Sequence, residues 1–280
     1  MTGDKAQILP EYDERYCAFV DILGFRQLLA GLPKPYDPTS GKIVFTIGEP
    51  QELSLIALKG VLERIHTPQS DDDMAIAQSD FRAQSISDAV AISTARNAYG
   101  LSQLFFSLES LCLDLLYEGL FVRGAIVKGP LYHDGKMVFG PALSDAYELE
   151  SRTVRFPRIM VSREVAFDAE RFEREGFKDD FFERIKQAED GPLFLHVLRQ
   201  MEIELAVASR KGGKFDGTDT DELDRYKSIG RMIEGRFHYS VDNPRHFEKV
   251  QWFARYWNQC IPNKLIGFKR IEGVGLDPKK

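Results

Sequence analysis

The chain has 280 residues, of which 43% are hydrophobic and 29% are charged, so it can bury one large globular core. The 37 basic and 43 acidic residues give a net charge of −6, which argues against a nucleic-acid-binding coat or a surface for anionic membranes. The three cysteines are widely spaced and the five histidines lack metal-binding spacing, which argues against a disulfide framework or a zinc site and predicts buried, reduced thiols.

The beginning of the chain is polar. Residues 1–16 lack the apolar segment of a signal peptide. The longest apolar runs are too short and too interrupted to span a bilayer. We therefore expect a cytoplasmic protein with no membrane partner and no nucleic-acid partner.

Apolar runs and turn residues predict alternating strands and helices in the first part of the chain. Residues 15–22 form a short apolar run before a glycine, which is typical of a buried strand. A helix is predicted to begin at Gly24 and to end by Pro33, because proline cannot continue a helix. Helical spacing predicts a second helix over 49–66, and the acidic segment 67–78 is predicted to be a mobile surface loop.

The middle of the chain continues this alternation. Two short strands are predicted within residues 81–93, with Ser87 and Asp88 at the turn between them. An amphipathic helix is predicted over 99–117, and Gly119 ends it. The later predicted elements are strands at 120–133, 136–140, 158–162 and 191–198 and a helix at 141–154.

Strands that are paired close in sequence and alternate with helices predict an α+β fold. We expect a ferredoxin-like or palm-type arrangement, with a central, mostly antiparallel sheet and flanking helices. After residue 200 only helices are predicted, at 199–210, 219–236 and 244–259. The sequence therefore predicts a domain at 12–200 and a helical C-terminal extension at 201–280.

Two acidic residues stand where a charge is costly without a partner. Asp21 ends the first predicted strand in an otherwise apolar run, and Asp88 lies at the turn between two strands. If these strands are neighbours, both carboxylates meet at one edge of the sheet with the Ile22 carbonyl beside them. Such hard oxygen ligands suit Mg²⁺ or Mn²⁺. Taken singly, Asp21 is also a good helix cap and Asp88 an ordinary turn residue.

Four segments together resemble class III nucleotide cyclase domains. They are residues 19–25, 85–93, 121–132 and 138–150, and their order and spacing are similar to those of the family over roughly residues 12–200. The resemblance implies a nucleotide cyclase with two Mg²⁺ or Mn²⁺ ions per active site. It implies metal ligation by Asp21, Ile22 and Asp88, and a catalytic role for Asp21, Asp88 and Arg123. The residues that it implies for substrate binding are Gly24, Phe25, Arg26, Gln84, Met137 and Ser144.

The chain departs from the family where the family reads a purine and steadies the transferring phosphate. Gln84 stands in place of the adenine-reading lysine, and Met137 in place of the purine-selecting acid. Ser144 and Glu148 replace the usual asparagine and arginine. The candidates for a replacement phosphate clamp are Arg26, Lys128, Arg152, Arg155 and Arg158.

The missing purine readers make the chain look like the pyrimidine cyclases of bacterial Pycsar antiphage systems. This resemblance implies a homodimer with composite active sites that makes cyclic UMP or cyclic CMP for a downstream effector. The neutral amide of Gln84 both donates and accepts hydrogen bonds, which matches the edge of uracil, so UTP is the predicted substrate and CTP the second choice. Tyr36 and Phe81 are candidates to shorten the pocket.

Other interpretations remain open from the residues alone. A non-catalytic, cyclase-like module could sense a nucleotide, and the altered Ser144 and Glu148 favour that function. Another metal-dependent phosphoryl transferase on a related fold is a further alternative. Retention of two carboxylates favours an enzyme, because adjacent carboxylates repel each other without a metal. Arg123 is as typical of a structural ion pair as of a phosphate contact, and Gln84 can serve in packing alone.

Overall fold

A computed structural model of the chain describes residues 11–25, 36–37, 42–43, 50–68, 73–210, 220–263, 265 and 268–275. The strands are β1 Asp13–Leu23, β2 Tyr36–Asp37, β3 Lys42–Ile43, β4 Arg82–Ile86, β5 Ala89–Ala95, β6 Phe121–His133, β7 Val138–Phe139, β8 Ile159–Val161, β9 Ile185–Gln187 and β10 Leu193–Leu195. The helices are α1 Pro50–Ile65, α2 Asp73–Ser79, α3 Ala98–Tyr117, α4 Pro141–Thr153, α5 Arg163–Arg174, α6 Arg199–Arg210, α7 Thr220–Tyr239 and α8 Pro244–Cys260.

Eight strands form one mainly antiparallel sheet, whose main path runs β4-β5-β1-β6-β8-β10-β9. Strand β1 lies inside the sheet and is antiparallel to both β5 and β6. Strands β4 and β5 form an antiparallel hairpin, and β8 lies parallel to β6. The order β1, α1, β4, β5, α3, β6 along the chain is the split β-α-β arrangement of ferredoxin-like folds. The predicted α+β fold class is therefore confirmed.

The two faces of the sheet differ, because successive side chains of a strand point to opposite sides. On one face, which we call the core face, Val20 and Ile22 pack in the main apolar cluster with Leu104 and Leu108 of α3. On the other, which we call the α4 face, Cys17 packs with side chains of α4 in a smaller cluster. Asp21 follows Cys17 by four residues in the same strand, so its side chain also lies on the α4 face.

The C-terminal helices share the main apolar cluster with the sheet. Trp252 of α8 stacks on Phe156 with ring centroids 5.7 Å apart, and it meets Phe194 of β10 edge-on at 5.6 Å. The guanidinium of Arg158 lies 5.4 Å from each of the Phe156 and Trp252 rings. Helix α8 is thus packed against the end of the sheet that carries β8 and β10.

Some elements of the structure were not predicted, and one predicted helix lies outside the described residues. The acidic segment 67–78 was expected to be a loop, but α2 occupies Asp73–Ser79, where Ser79 Oγ donates to the Ile76 carbonyl at 2.7 Å. Helix α5 and strand β9 were not predicted at all. The predicted helix after Gly24 lies outside the described residues from position 26 onward.

Two further expectations concern cysteines and membranes. Cys17, Cys112 and Cys260 are free and buried, as the sequence predicted. Within the described ranges, none of the helices combines the length and the apolar character that crossing a bilayer requires.

Candidate active site

The two predicted metal-binding acids lie at the same end of the sheet. Asp21 stands opposite Ala89 of β5 in the strand register, and Asp88 directly precedes that residue. The Ile22 N–H donates to the Asp88 carbonyl at 2.8 Å, so the backbones that carry the two acids are joined. A two-residue turn with Ser87 at φ +59° makes this approach possible.

The side chain of Asp21 has an ion-pair partner on the neighbouring strand. Arg123 stands opposite Asp21 in the register of β1 and β6, and its Nε lies 3.0 Å from Asp21 Oδ2. The same Nε lies 2.6 Å from Oε1 of Glu150, which α4 brings down onto this face. One guanidinium is therefore shared between two carboxylates, which is the structural ion pair that the sequence left open for Arg123.

The two carboxylates that share Arg123 differ in their contacts. The Arg123 Nε–H donates to Asp21, whereas the buried Glu150 Oε1 has no aligned donor among the described residues. Burial raises the pKa of Glu150 against the opposing effect of Arg123, and the nearby Asp21 charge raises it further. Asp88 adds a third carboxylate to this end of the sheet. Carboxylate oxygens are ligands that suit a hard divalent cation such as Mg²⁺ or Mn²⁺.

One glycine follows Asp21 on β1, and another precedes α4 at the opposite end of the strands. Gly24 follows β1 with φ +92°, a conformation that other residues rarely adopt, and it turns the chain away from the sheet. Gly140 precedes α4 with φ +139°, and a Cβ there would lie 3.0 Å from the Pro130 carbonyl oxygen. Phe25 packs against the main apolar cluster, and the predicted substrate contact Arg26 lies outside the described residues.

The two predicted base-reading positions lie close together. Gln84 Nε2 donates to the Lys136 carbonyl at 3.1 Å, next to Met137, whose side chain is half exposed. The Gln84 Oε1 atom is buried and has no partner among the described residues. Gln84 of β4 pairs with Ala91 of β5, which in turn pairs with Phe19 of β1, so Gln84 lies on the α4 face. Strand spacing then places Gln84 about 12 Å from Asp21.

The two residues that stand in place of the family's phosphate-steadying pair point away from this cluster. Ser144 and Glu148 lie one turn apart on the exposed side of α4, whereas Ala142, Ala146 and Glu150 are buried. Glu148 forms an ion pair with Arg152 on the same helix. Within one chain, the structure does not bring Ser144 into the Asp21 cluster.

The basic residues considered for a phosphate clamp have acidic partners wherever the structure describes them. Lys128 Nζ lies 2.7 Å from Asp168, and its side chain is on the core face, opposite to that of Asp21. Arg158 pairs through both terminal nitrogens with Asp190, at 2.6 and 2.7 Å. Arg152 pairs with Glu148 and Arg155 pairs with Glu248.

Sequence reasoning gave Glu150 no role. A signal was present, because Ala142, Ala146 and Glu150 follow each other at four-residue spacing and so share one helix face. An acid that continues a stripe of buried alanines needs a cationic partner. Arg123, at the matching end of β6, supplies it.

A second polar cluster, also unpredicted, lies at the other end of the α4 face. His133 Nδ1 lies 2.8 Å from Ser93 Oγ, which accepts a hydrogen bond from Arg15 Nε at 2.9 Å. The His133 Nε2 atom is buried and has no hydrogen-bond partner among the described residues. Burial, together with the positive charges of Arg15 and Arg82, lowers the pKa of His133 to about 4.

Comparison with known proteins adds a distant structural likeness. No family model matches the chain, and no curated protein matches it in sequence. The crystal structure of the guanylyl cyclase Cya2 is similar over 66% of this chain and 92% of that chain, with a TM-score of 0.36 and 13% identity. The fold assignment rests on the strand order and register described above and not on this likeness.

Proposed function

We propose that the chain is a nucleotide cyclase that converts a pyrimidine triphosphate, preferably UTP, to 3′,5′-cyclic UMP and pyrophosphate. The reaction joins O3′ to the α-phosphorus, breaks the bond from that phosphorus to the pyrophosphate oxygen, and releases the hydroxyl proton. The observation that supports it best is the convergence of Asp21 and Asp88 at one sheet end, joined through the hydrogen bond from Ile22 to Asp88.

Asp21, Asp88 and the Ile22 carbonyl are the residues that would hold two Mg²⁺ or Mn²⁺ ions. Carboxylate oxygens fit such a cation, and Glu150 Oε1, which forms an ion pair with Arg123, accepts no aligned hydrogen bond among the described residues. The metals would neutralise the triphosphate and make the attacking hydroxyl more acidic. Arg123 holds the Asp21 side chain in place beside Glu150, and a guanidinium there is also positioned to offset phosphate charge.

The preference for a pyrimidine rests on the uncharged side chains at the base-reading positions. Gln84 is oriented through its amide nitrogen, which donates to the Lys136 carbonyl, and Oε1 then remains as an acceptor for a base N–H. Uracil offers such a donor at N3. The separation of about 12 Å between Gln84 and Asp21 is one that a nucleoside triphosphate can bridge.

The proposal includes a homodimer with composite sites. Ser144 and Glu148 are exposed on α4, so they are available to a second copy of the chain rather than to their own Asp21. In this arrangement the Asp21 and Asp88 of one chain act with the 123–158 region of its partner. The cyclic nucleotide would then be the signal that a separate effector reads in a bacterial antiphage response of the Pycsar type.

A non-catalytic nucleotide sensor is the second candidate. The ion pair between Arg123 and Asp21 favours it, because it already satisfies one of the two acids without a metal. Glu148 also forms an ion pair with Arg152, so it does not replace the arginine that steadies the transferring phosphate in the family. A sensor of this kind would bind a nucleotide without turning it over.

Product analysis distinguishes the two candidates. We expect the purified chain, incubated with equal concentrations of all four nucleoside triphosphates and Mn²⁺, to release mainly cyclic UMP, detected by mass spectrometry. Asp88→Asn should abolish the product, whereas the matched control Asp242→Asn, at an exposed acid just before α8, should retain it. A cyclic purine as the main product would contradict the base preference, and tight UTP binding without any product would favour the sensor.

Complementation tests the composite site. A chain with Asp88→Ala mixed with a chain altered at Ser144, which is exposed on α4, should recover part of the activity, because one of the two sites in a mixed dimer receives intact residues from both chains. If light scattering at the assay concentration showed a monomer, and that monomer had full activity, the composite dimer would be refuted.

A further inference from the structure

A compact group of metal-ligand side chains lies far from the Asp21 cluster, where α8 meets the end of the sheet. His196 follows β10, Glu202 belongs to α6 and Cys260 is the last residue of α8. One potential ligand atom from each lies within 4.8 Å of the others. His196 Nε2 is 2.6 Å from Glu202 Oε2.

The three side chains differ in protonation, and only the thiol has to release its proton to solvent when a cation binds. Burial lowers the pKa of His196, so its ring is neutral at pH 7. Hydrogen bonding from His196 lowers the pKa of Glu202 to about 2 despite its burial, so it is a carboxylate. Burial and the Glu202 charge raise the pKa of the Cys260 thiol, which therefore ionises only when a cation replaces its proton.

The surroundings also fit a ligated histidine. Tyr256 Oη accepts the Leu198 N–H at 3.1 Å and lies 2.7 Å from His196 Nδ1. A fixed partner on the second ring nitrogen is the usual support for a metal-binding histidine. Lys186 Nζ lies 2.9 Å from Glu202 Oε2, and its side chain is partly exposed, so it can turn away from an incoming cation.

We propose that His196 Nε2, a Glu202 carboxylate oxygen and Cys260 Sγ bind one Zn²⁺ ion. Imidazole, carboxylate and thiolate are the ligand types that zinc takes, with bonds of about 2.0–2.3 Å in a tetrahedral arrangement. Three protein ligands leave a fourth position for water. On binding, the Cys260 thiol loses its proton. The His196 proton moves from Nε2 to Nδ1, and the Nδ1–H then donates a hydrogen bond to Tyr256 Oη. Thiolate and carboxylate then balance the charge of the ion.

The ion would join three parts of the chain that are distant in sequence. Cys260 ends α8, so its coordination would fix the C-terminal helices to β10 and α6. Since the site is assembled only in the folded chain, zinc binding would stabilise the fold. This role is independent of the proposed cyclase chemistry, which uses oxygen ligands on β1 and at the turn between β4 and β5.

Cobalt substitution tests the site through its sulfur ligand. We expect the full-length, untagged, chelator-treated chain to bind Co²⁺ with a thiolate-to-cobalt charge-transfer absorption at one equivalent, and Zn²⁺ to abolish it by displacement. Carboxylate sites such as that of Asp21 do not give this band, so the result is independent of the proposed function. Zn²⁺ at 100 times its dissociation constant should shift the unfolding equilibrium about 100-fold toward the native state.

Variants separate a metal site from a plain hydrogen-bonded network. Cys260→Ala should lose the absorption, whereas the matched control Cys17→Ala, an equally buried thiol of β1, should keep it. Glu202→Gln, at a partly exposed position that tolerates substitution, should weaken Co²⁺ binding at least about 10-fold. Lys186→Met should strengthen binding. Absence of the band at stoichiometric Co²⁺, or its survival in Cys260→Ala, would overturn the proposal.

Discussion

The two faces of the central sheet have different tasks, and strand β1 shows the division residue by residue. On the core face, Tyr16, Ala18, Val20 and Ile22 are almost completely buried in one apolar cluster. On the α4 face, the same strand carries Arg15 at one end and Asp21 at the other, each with charged partners. A strand with a period of two can therefore support a core and a polar site at once. The predictions below test this division.

The largest effect is expected from the polar face. Asp21→Asn keeps the shape of the side chain but removes a metal ligand, and loss of metal-based charge stabilisation should lower turnover by at least about 1,000-fold, or about 4 kcal/mol in the barrier. Thermal unfolding should change little, because the side chain lies outside the apolar cores. A variant that kept near-normal turnover with Mn²⁺ would contradict the assignment of Asp21.

A pH effect is expected from the other end of the same face. The folded-state pKa of His133 is about 4, below the value of about 6.5 in the unfolded chain, so the unfolded state binds more protons between these values. The stabilisation is complete above pH 6.5 and is lost as the pH falls toward 4, by at most about 1.4 kcal/mol per pH unit. Urea unfolding of the native chain and of His133→Gln at several pH values measures the difference. Identical slopes would show that His133 does not contribute.

The base-reading position should change selectivity more than rate. Gln84→Leu removes the buried acceptor at Oε1, and loss of one hydrogen bond to the base should reduce the preference for UTP over ATP about 10- to 100-fold. Competition between the two nucleotides at equal concentration measures this ratio. As a control, Gln103→Leu alters an amide that is bonded to Ser107 within α3, and it should leave the ratio unchanged.

The smallest effect is expected from the core face. Ile92→Val removes one methylene from a fully buried side chain, which should lower the free energy of unfolding by about 0.5–1.5 kcal/mol. Turnover of the folded variant at low temperature should equal that of the native chain. A large loss of activity without a loss of stability would mean that the two faces are not independent.

The elements with strong periodicity were predictable from the sequence, and those without it were not. The apolar stripe of α3 and the strands that flank Asp88 gave clear patterns, and the structure has these elements. Helix α5 was missed because its sequence is mostly charged, although its buried side chains Val165, Ala169 and Phe172 recur at helical spacing. Strand β9 has only three residues, and it is defined by its pairing with β10. The local sequence does not reveal such a pairing.

The candidate sites divide in a similar way. Asp21 and Asp88 were noticed because an acid in an apolar run is conspicuous, and the strand register then brought their backbones together. The partners of Asp21 depend on which strands and helices are neighbours, and only the fold supplies that information. The group of His196, Glu202 and Cys260 escaped because its members are up to 64 positions apart, so no local spacing indicates a metal.

The position of β1 inside the sheet has a consequence for synthesis of the chain. Its two neighbours, β5 and β6, are both made later, and β6 is complete only at His133. At about 5–20 residues per second, β1 therefore waits roughly 5 to 20 s for its second partner. During that time an apolar strand with two open edges is available for mispairing. The nascent chain should depend on chaperones until residue 133 has left the ribosome.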